Sequence, residues 1–422
     1  MRNDQVEDSK VDRLKKELAR KNFQFNSIYE FSDSIYSSFE VDNIIRIFFS
    51  TLMGQLGISR LFLMDSENKL FKKRGFQTTE EEAKAFRKTT KKMASEWSFI
   101  TTDDLTPEQA EIKDFLETHK IRYLINVSET ETRRTMVGLG AKLNKQELTT
   151  ENIEYAFLVS KFSLSAIENA ILINQLIESK RMEHELKIAR DIQLSLLPQS
   201  VPVLENFEIA VIYEPIHEVG GDYFDILKER KGQLPILIAD VEGKGLSAAL
   251  LAASSQAIFR SLNDLYMFEE GKFISKANAL IYDFTKGNRF ITLFWMLLDE
   301  KEKTVTYVNA GHVEPVLIST NGEICRLNSG GCLTGFMEDA VYEKETLQLK
   351  AGDILVAFTD GVTEVENKAG EEFGLDAIIK FVKKNSHLTA QAITAALFVE
   401  ITEFSQHVKF RDDFTLILLK VK

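Results

Sequence analysis

The spacing of apolar residues divides the chain into a front half rich in helices and a back half rich in strands. Between residues 6 and 39 apolar positions recur every three, four or seven residues, which predicts a helix, and we assign 1–39 to it. Residues 1–20 place charged side chains around a thin apolar stripe. Two interpretations stay open for that segment, pairing with a partner helix and a solvated leader.

A compact α/β unit is predicted over residues 40–165. An apolar helical pattern at 44–56 ends at a glycine, and a buried strand follows at 58–64. Further elements are predicted in this order: a polar helix (79–93), two strands (123–127 and 136–140) and an amphipathic helix from residue 150 onward. This order resembles a GAF-type sensory domain. His119 and Arg122 have two interpretations, the lining of a pocket and an exposed helix end.

A long helix is predicted to connect the two halves, and we assign 166–200 to this connector. Residues 162–197 contain no glycine or proline and are rich in residues that favour helices. Steps of four and three residues form a short coiled-coil seam of fewer than ~3 heptads. Its residues are Met182, Leu186, Ala189, Gln193 and Leu196. We predict that this seam pairs two copies of the chain as a homodimer and carries a signal between the halves.

From residue 201 to 422 short apolar runs alternate with turns, and four helical stretches are inserted. Strands are predicted at 207–213, 223–227, 235–241, 290–298, 304–309, 315–319, 354–358 and 414–421. Helices are predicted at 247–262, 273–286, 375–384 and 389–404. Many strands with a few long helices predict an α+β protein whose back half contains two packed sheets flanked by helices.

Composition narrows the classes of function. The chain has 52 basic and 64 acidic residues, and its net charge of −12 disfavours binding to nucleic acid. Cys325 and Cys332 form no C-x-x-C pair, so neither a disulfide framework nor a zinc site is predicted. The first residues do not resemble a secretory signal, and the most apolar window, 246–259, is interrupted by serines and a glutamine. We therefore predict a cytoplasmic protein without a membrane span.

Four aspartates in the back half lie where predicted strands meet turns: Asp222, Asp240, Asp360 and Asp412. Divalent cations such as Mg²⁺ and Mn²⁺ take carboxylate and carbonyl oxygens, so acids at the ends of neighbouring strands predict a metal cradle. Taken singly, most have a simpler interpretation as a glycine turn or a helix cap. The adjacent pair formed by Asp412 and Asp413 is different, because neighbouring carboxylates repel each other unless a cation compensates.

Taken in order, these motifs resemble the PPM (PP2C) protein phosphatases. The resemblance is to the bacterial branch typified by the stage II sporulation phosphatase and the RsbU-like regulators of anti-sigma-factor pathways. It covers about residues 188–422 and rests on several motifs. They are Ala189-Arg190-Asp191-Ile192-Gln193, Leu196-Leu197-Pro198, Gly220-Gly221-Asp222, the run from Ile238 to Gly245, Asn309-Ala310-Gly311-His312, Asp360-Gly361 and Arg411-Asp412-Asp413.

The resemblance implies a PP2C-like αββα sandwich over 201–422 and a site for two Mn²⁺ or Mg²⁺ ions. Asp240 would bridge the ions and the Val241 carbonyl would lie beside it. Asp222, Asp360 and Asp412 would complete the ligands. Asp413 is a further candidate whose place can hold a neutral residue in the family. Two cations would lower the pKa of a water that attacks the phosphate monoester, so no protein nucleophile is expected.

Three further residues near these acids have open interpretations. His312 could donate a proton or orient a neighbour, or be a hydrogen-bonded turn residue. Lys244 could steer a phosphate, or be an exposed lysine. Glu242 stands where related sequences often have serine or another small residue. An extra acid there would alter metal affinity or the access of an anionic substrate.

The favoured hypothesis is a metal-dependent phosphoserine/phosphothreonine protein phosphatase that the GAF-like domain regulates. By resemblance, its substrate would be a phosphorylated STAS-type antagonist of an anti-sigma factor. A second hypothesis is a phosphatase-like signalling adaptor with weak or no catalysis. A third, compatible with the first, is a sensor that binds a small molecule in its first domain.

Overall fold

The computed structural model describes residues 15, 26, 28–35, 38–90, 97–129, 134–266, 270–406 and 408–422. The chain forms two compact units, Met1–Lys180 and Arg181–Lys422. Of the predicted N-terminal helix, residues 28–35 are helical, and Phe31 and Ile35 are buried in the first unit. The question of a partner helix or a leader at 1–20 lies almost entirely outside the described residues.

The first unit is built on a five-stranded antiparallel sheet in the order β2-β1-β5-β4-β3. Its strands are β1 (Leu61–Asp65), β2 (Leu70–Arg74), β3 (Phe99–Thr101), β4 (Ile121–Glu129) and β5 (Arg134–Gly140). Its helices are α1 (Val41–Leu56), α2 (Glu80–Thr90), α3 (Ala110–Thr118) and the start of α4 (Thr150–Leu196). The sequence pattern missed β2, β3 and α3, which are short or only partly buried. The identification as a GAF-like domain, and the predicted domain boundaries, stay predictions.

Helix α4 confirms the prediction of one long helix, although it begins at Thr150 and runs for 47 residues. Within the described residues it also holds the one window of 18 residues that is apolar enough to cross a membrane, and 44% of that window is buried. The prediction that 246–259 was the most apolar window is therefore wrong. The apolar side of this window, including Val159 and Ile167, packs in the core of the first unit. Packing against that core accounts for the buried part of the window.

The second unit packs two sheets between helices, which confirms the predicted sandwich. One sheet has the order β13-β10-β9-β8-β7, with β14 also paired to β10, and the other has the order β12-β11-β15-β16-β6. The first sheet contains β7 (Tyr223–Ile226), β8 (Gln233–Val241), β9 (Ile291–Asp299), β10 (Thr304–Ala310), β13 (Gly330–Gly331) and β14 (Glu345–Gln348). The second contains β6 (Phe207–Glu214), β11 (Val316–Ile318), β12 (Ile324–Arg326), β15 (Ile354–Phe358) and β16 (Phe414–Val421).

In the second sheet, the side chains of β15 and β16 alternate between two cores. In β15, Leu355 and Ala357 join the core between the sheets, whereas Val356 and Phe358 face an outer core. Helices cover the outer faces: α5 (Leu246–Tyr266) and α6 (Glu270–Thr285) on the first sheet, α8 (Gly374–Lys384) and α9 (Ala390–Phe404) on the second. A short helix, α7 (Asp360–Thr363), follows β15 directly. The pattern did not predict α7, β12, β13 or β14, which are at most four residues long.

Candidate active site

The strand pairing brings the four aspartates to one end of the two sheets. Tyr223 of β7 pairs with Ala239 of β8, so Asp222 comes next to Asp240. On the other sheet, the Thr359 amide donates to the Thr415 carbonyl at 3.0 Å. This bond holds the start of α7, with Asp360, against the start of β16.

The charges of these carboxylates act on one another. Burial, followed by the charges of Asp360 and Asp412, raises the pKa of Asp240 to about 7, and the nearby Lys244 partly opposes this. Burial and then the charge of Asp240 raise the pKa of Asp222 well above its ordinary value. Burial and the charge of Asp412 raise the pKa of Asp360 as well. The cluster therefore carries more negative charge than its own cations balance, which suits a site for added cations.

Two hydroxyl groups fix the carboxylate of Asp222. Its Oδ2 accepts a hydrogen bond from Thr359 Oγ1 at 2.7 Å and another from Thr415 Oγ1. Both donors come from the second sheet, so Asp222 links the two sheets at the site. The Asp222 side chain is buried in this position.

Gly221 keeps open the gap in front of Asp240. A Cβ atom on Gly221 would lie 3.0 Å from the Val241 carbonyl oxygen and 3.5 Å from Asp240 Oδ1. A carbonyl oxygen and a carboxylate oxygen therefore face the same narrow space. These two groups belong to Asp240, the predicted bridging ligand, and to Val241, whose carbonyl was predicted to lie beside it.

Asp413 anchors the turn that carries Asp222. Its Oδ2 accepts the Gly221 amide at 2.7 Å, and its Oδ1 accepts the Ile216 amide at 2.9 Å. A Cβ on Gly220 would come within 2.4 Å of Asp413 Oδ2, so the glycine is required for this approach. Because both oxygens already accept backbone amides, the geometry favours a positioning role for Asp413 over the predicted metal contact.

The donor set fits divalent cations that retain much of their water. Within the described residues no three His, Cys, Asp or Glu side chains converge closely enough to form a metal-binding group by themselves. Mg²⁺ is commonly held by only one or two carboxylates and keeps several waters. Asp240, the Val241 carbonyl, Asp360 and Asp412 supply oxygen donors of this kind at the rim, and their mutual repulsion provides the electrostatic reason to bind cations.

Lys244 and His312 have defined surroundings. Lys244 Nζ lies 2.6 Å from Asp412 Oδ2 and donates to the Arg411 carbonyl at 3.0 Å, so it is tied to the acids of the site. His312 is buried, its Nδ1 lies 2.8 Å from Thr292 Oγ1, and its amide donates to Asn309 Oδ1. Burial lowers the pKa of His312 to about 4, so the ring is neutral at neutral pH. This environment favours the hydrogen-bonded turn residue over a proton donor.

Glu242 lies directly after the Asp240 strand. Its amide donates to the Phe290 carbonyl, and its carbonyl accepts Arg289 Nη1 at 3.4 Å. Its Oε2 is buried without a hydrogen-bond partner among the described residues. Backbone hydrogen bonds therefore hold Glu242 in place. The predicted effect of its carboxylate on metal affinity or substrate access stays a prediction.

The sequence pattern placed Gln193 in a coiled-coil seam. In the structure it contacts the turn Gly220-Gly221 that precedes Asp222, which we call the aspartate turn. Its Nε2 donates to the Gly220 carbonyl at 2.8 Å, and the Gly220 amide donates back to its Oε1 at 3.1 Å. A polar residue at that position is therefore explained by a backbone partner within its own unit. The remaining seam residues and the dimer stay predictions.

An ion pair between the buried Asp225 and the exposed Arg260 was also missed. Asp225 accepts Arg260 Nε at 2.7 Å and the Tyr223 hydroxyl at 2.6 Å. Arg260 also donates to the Leu196 carbonyl, at the end of α4. The signal in the sequence was an acid inside the apolar run of β7, which needs a partner when buried.

Comparisons with known proteins agree with this geometry. The family model for stage II sporulation protein E (SpoIIE) matches residues 230–422. Phosphoserine phosphatase RsbU of Bacillus subtilis (strain 168) is 28% identical over 244 residues, which cover 58% of this chain and 72% of RsbU. Phosphoserine phosphatase RsbP of the same organism is 26% identical over 190 residues, 43% of this chain and 46% of RsbP. The chain therefore spans less than half of RsbP.

The fold has a solved counterpart. The SiaA-PP2C domain of Pseudomonas aeruginosa superimposes with a TM-score of 0.52 at 17% identity, covering 58% of this chain and 99% of that domain. This likeness shows a PP2C-like fold, and the relatives named phosphoserine phosphatases support the class of protein phosphatase. Within that class, residues 230–422 match the family model for SpoIIE. The predicted family and enzyme class are confirmed, and Asp240, Asp360 and Asp412 lie inside the matched residues, whereas Asp222 precedes them.

Proposed function

We propose that this protein hydrolyses phosphoserine or phosphothreonine on a protein substrate with the help of two Mn²⁺ or Mg²⁺ ions. The observation that carries the proposal is the cluster of aspartates whose pKa values are raised by burial and by one another. The relatives named phosphoserine phosphatases support serine as the substrate residue. A phosphorylated STAS-type protein in a partner-switching pathway is the proposed substrate, and the cytoplasm its location.

Each residue of the site has a defined task in this proposal. Asp240, the Val241 carbonyl, Asp360 and Asp412 would hold the ions, and Asp222 would complete the set from its position between Thr359 and Thr415. When bound, the ions would lower the pKa of the attacking water and screen the charge of the phosphate. Asp413 and Gln193 position the Gly220-Gly221 turn. Lys244 neutralises part of the charge on Asp412 at the rim.

We further propose that the N-terminal unit regulates hydrolysis through α4. The support is that Gln193, near the end of this helix, exchanges two hydrogen bonds with Gly220, two residues before Asp222. A shift of the helix end would therefore act on the aspartate turn directly. The predicted pairing of α4 with a second copy can be tested by sedimentation equilibrium, in which a strict monomer at micromolar concentration would contradict it.

The activity is tested with the purified chain, Mn²⁺ and phosphorylated STAS-domain proteins, by measuring phosphate release. We expect release that depends on Mn²⁺ and falls at least about 100-fold in Asp240→Asn and Asp360→Asn, since each removes a charged ligand from the site. Asp339→Asn is the control, because Asp339 is an exposed aspartate of a surface loop. No release from any such substrate, or full release by Asp240→Asn, would sink the proposal.

A further inference from the structure

A cavity lies between helices α2 and α3 of the N-terminal unit, far along the chain from the phosphatase residues. Its volume is about 380 Å³, within the range of small-molecule sites. The residues that give it its chemistry are Glu82, Phe86, Glu111, Asp114, Phe115 and His119. Three acids and three rings in one cavity combine negative charge with flat apolar surface.

The floor of the cavity is aromatic. Phe86 and Phe115 stack with ring centroids 4.1 Å apart, and the His119 ring meets Phe115 edge-on at 4.5 Å. Phe76 supports His119 from the other side at 4.8 Å. The faces of phenylalanine rings are electrically negative and attract cations. This floor favours a flat apolar group that carries a positive charge.

The rim of the cavity is acidic. Hydrogen bonds from Thr78 and Thr79 lower the pKa of Glu82, which keeps this carboxylate ionised at neutral pH. Glu111 accepts Thr89 Oγ1 at 3.2 Å and so links α3 to α2 across the opening. Lysine and arginine are absent from the described residues that line the cavity. The carboxylates are thus available to a cation from outside the protein.

His119 adds a polar group inside the cavity. Only 8% of this residue is exposed, and its backbone is fixed by Phe115 and Arg60. His119 lines the cavity, and its ring nitrogens make no hydrogen bond to a described residue. Burial, opposed by the Glu82 charge and reinforced by Lys73 and Arg60, lowers the pKa of His119, so the ring is neutral and one nitrogen can accept a hydrogen bond.

We propose that this cavity binds a small organic cation, an amine whose ammonium group lies between Glu111 and Asp114 and whose apolar body rests on Phe86 and Phe115. The neutral His119 ring accepts a hydrogen bond from the ligand. This assigns a chemical class to the signal of the N-terminal unit. It does not depend on the proposed phosphatase activity, because binding is measured directly.

Isothermal titration of the full chain tests the charge preference with three probes of similar shape: 2-phenylethylamine, 2-phenylethanol and phenylacetate. We expect the amine to bind at least about 10-fold more tightly than the alcohol, with no detectable binding of the carboxylate. The affinity for the amine falls as salt is added, because exposed charges are screened. An amine that binds no more tightly than the alcohol, or does not bind, overturns the proposal.

Variants of one helix locate the site. Asp114→Asn removes a charge from the cavity and is expected to weaken amine binding about 5-fold or more. Glu117→Gln, the control, removes the same charge from α3 at an exposed residue that pairs with Lys113 and does not line the cavity. We expect this control to change the affinity less than 2-fold. Equal losses in both variants would show general attraction to an acidic surface and would contradict a site between α2 and α3.

Discussion

At the scale of single residues, the carboxylate of Asp240 is proposed to bind metal ions, but its burial among other acids lowers the stability of the metal-free protein. It lies in a largely buried position beside Asp360, Asp412 and Asp413, and its pKa rises to about 7 as a result. Without added cations, the folded protein therefore holds a proton at Asp240 at pH values where the unfolded chain has lost it. The stability from this proton is fully present below the ordinary pKa of 3.8 and is lost as the pH rises through about 7.

We therefore expect Asp240→Asn to melt at a higher temperature than the unmodified chain at pH 8 in a chelator. The amide removes one buried charge from the cluster, and each kcal/mol gained is about 2–4 °C in a domain of this size. The difference should shrink toward pH 4, and Mn²⁺ should stabilise the unmodified chain more than the variant. Differential scanning calorimetry measures both, with Asp339→Asn as the control. A variant that melts lower at pH 8 without metal would contradict the explanation.

At the scale of elements, the last turns of α4 contact the catalytic unit through hydrogen bonds between side chains and backbone atoms. Gln193 binds Gly220, while Gln256 and Arg260 of α5 both donate to the Leu196 carbonyl at the end of α4. These hydrogen bonds join the end of α4 to the Gly220-Gly221 turn and to helix α5. A movement of α4 would therefore displace both the aspartate turn and helix α5.

Gln193→Ala is expected to raise the Mn²⁺ concentration needed for half-maximal activity about 10-fold, because outer-shell contacts that orient metal ligands contribute on this scale. Thermal melting with and without Mn²⁺ gives a second readout that does not need the substrate. Gln199→Ala is the matched control, since Gln199 Nε2 donates, within the described part of the chain, to the carbonyls of Leu194 and Leu197 near the helix end. An unchanged Mn²⁺ requirement in Gln193→Ala would remove the support for regulation through this contact.

At the scale of the whole molecule, the unit that carries the phosphatase sheets begins inside α4. The structural division falls at Lys180 and Arg181, whereas the sequence predicted a domain from residue 201. Leu194 and Leu197 pack on the core between the sheets, and Gln193 holds the aspartate turn. The last turns of the connector therefore contribute packing and hydrogen bonds to the catalytic unit.

This leads us to expect that a fragment of residues 181–422 folds cooperatively and keeps Mn²⁺-dependent activity. A fragment of residues 201–422 should melt at a lower temperature, because it lacks the buried Leu197, the partly buried Leu194 and the partners of Gly220 and Arg260. Circular dichroism melting and phosphate release compare the two fragments side by side. Equal melting temperatures and equal activity would favour the boundary at 201 instead.

Helices and strands could be predicted from the sequence where their hydrophobic pattern was long and regular. The periodic runs of α1, β15 and β16 were placed within a few residues, because burial on a fixed face imposes a fixed spacing. Strands β12 to β14 and helix α7 are too short to show a period, and the three strands exist because neighbouring strands supply their hydrogen bonds. Similarly, the acids Asp222, Asp240, Asp360 and Asp412 were identified from their motifs before any geometry was known.

The sequence by itself determined the residue types of the site, the sandwich class and the phosphatase family. Only the tertiary structure decided which groups meet, because those contacts join positions up to 197 residues apart, as in the bond from the Ile216 amide to Asp413 Oδ1. In the folded chain, the Asp413 carboxylate accepts hydrogen bonds from backbone amides. His312 is buried as a neutral ring, and Gln193 forms hydrogen bonds with Gly220. It also opened a cavity around His119, which the sequence left undecided between a pocket and a helix end. Such contacts follow from strand register and from packing across the core, and the spacing of residues along the sequence does not predict them.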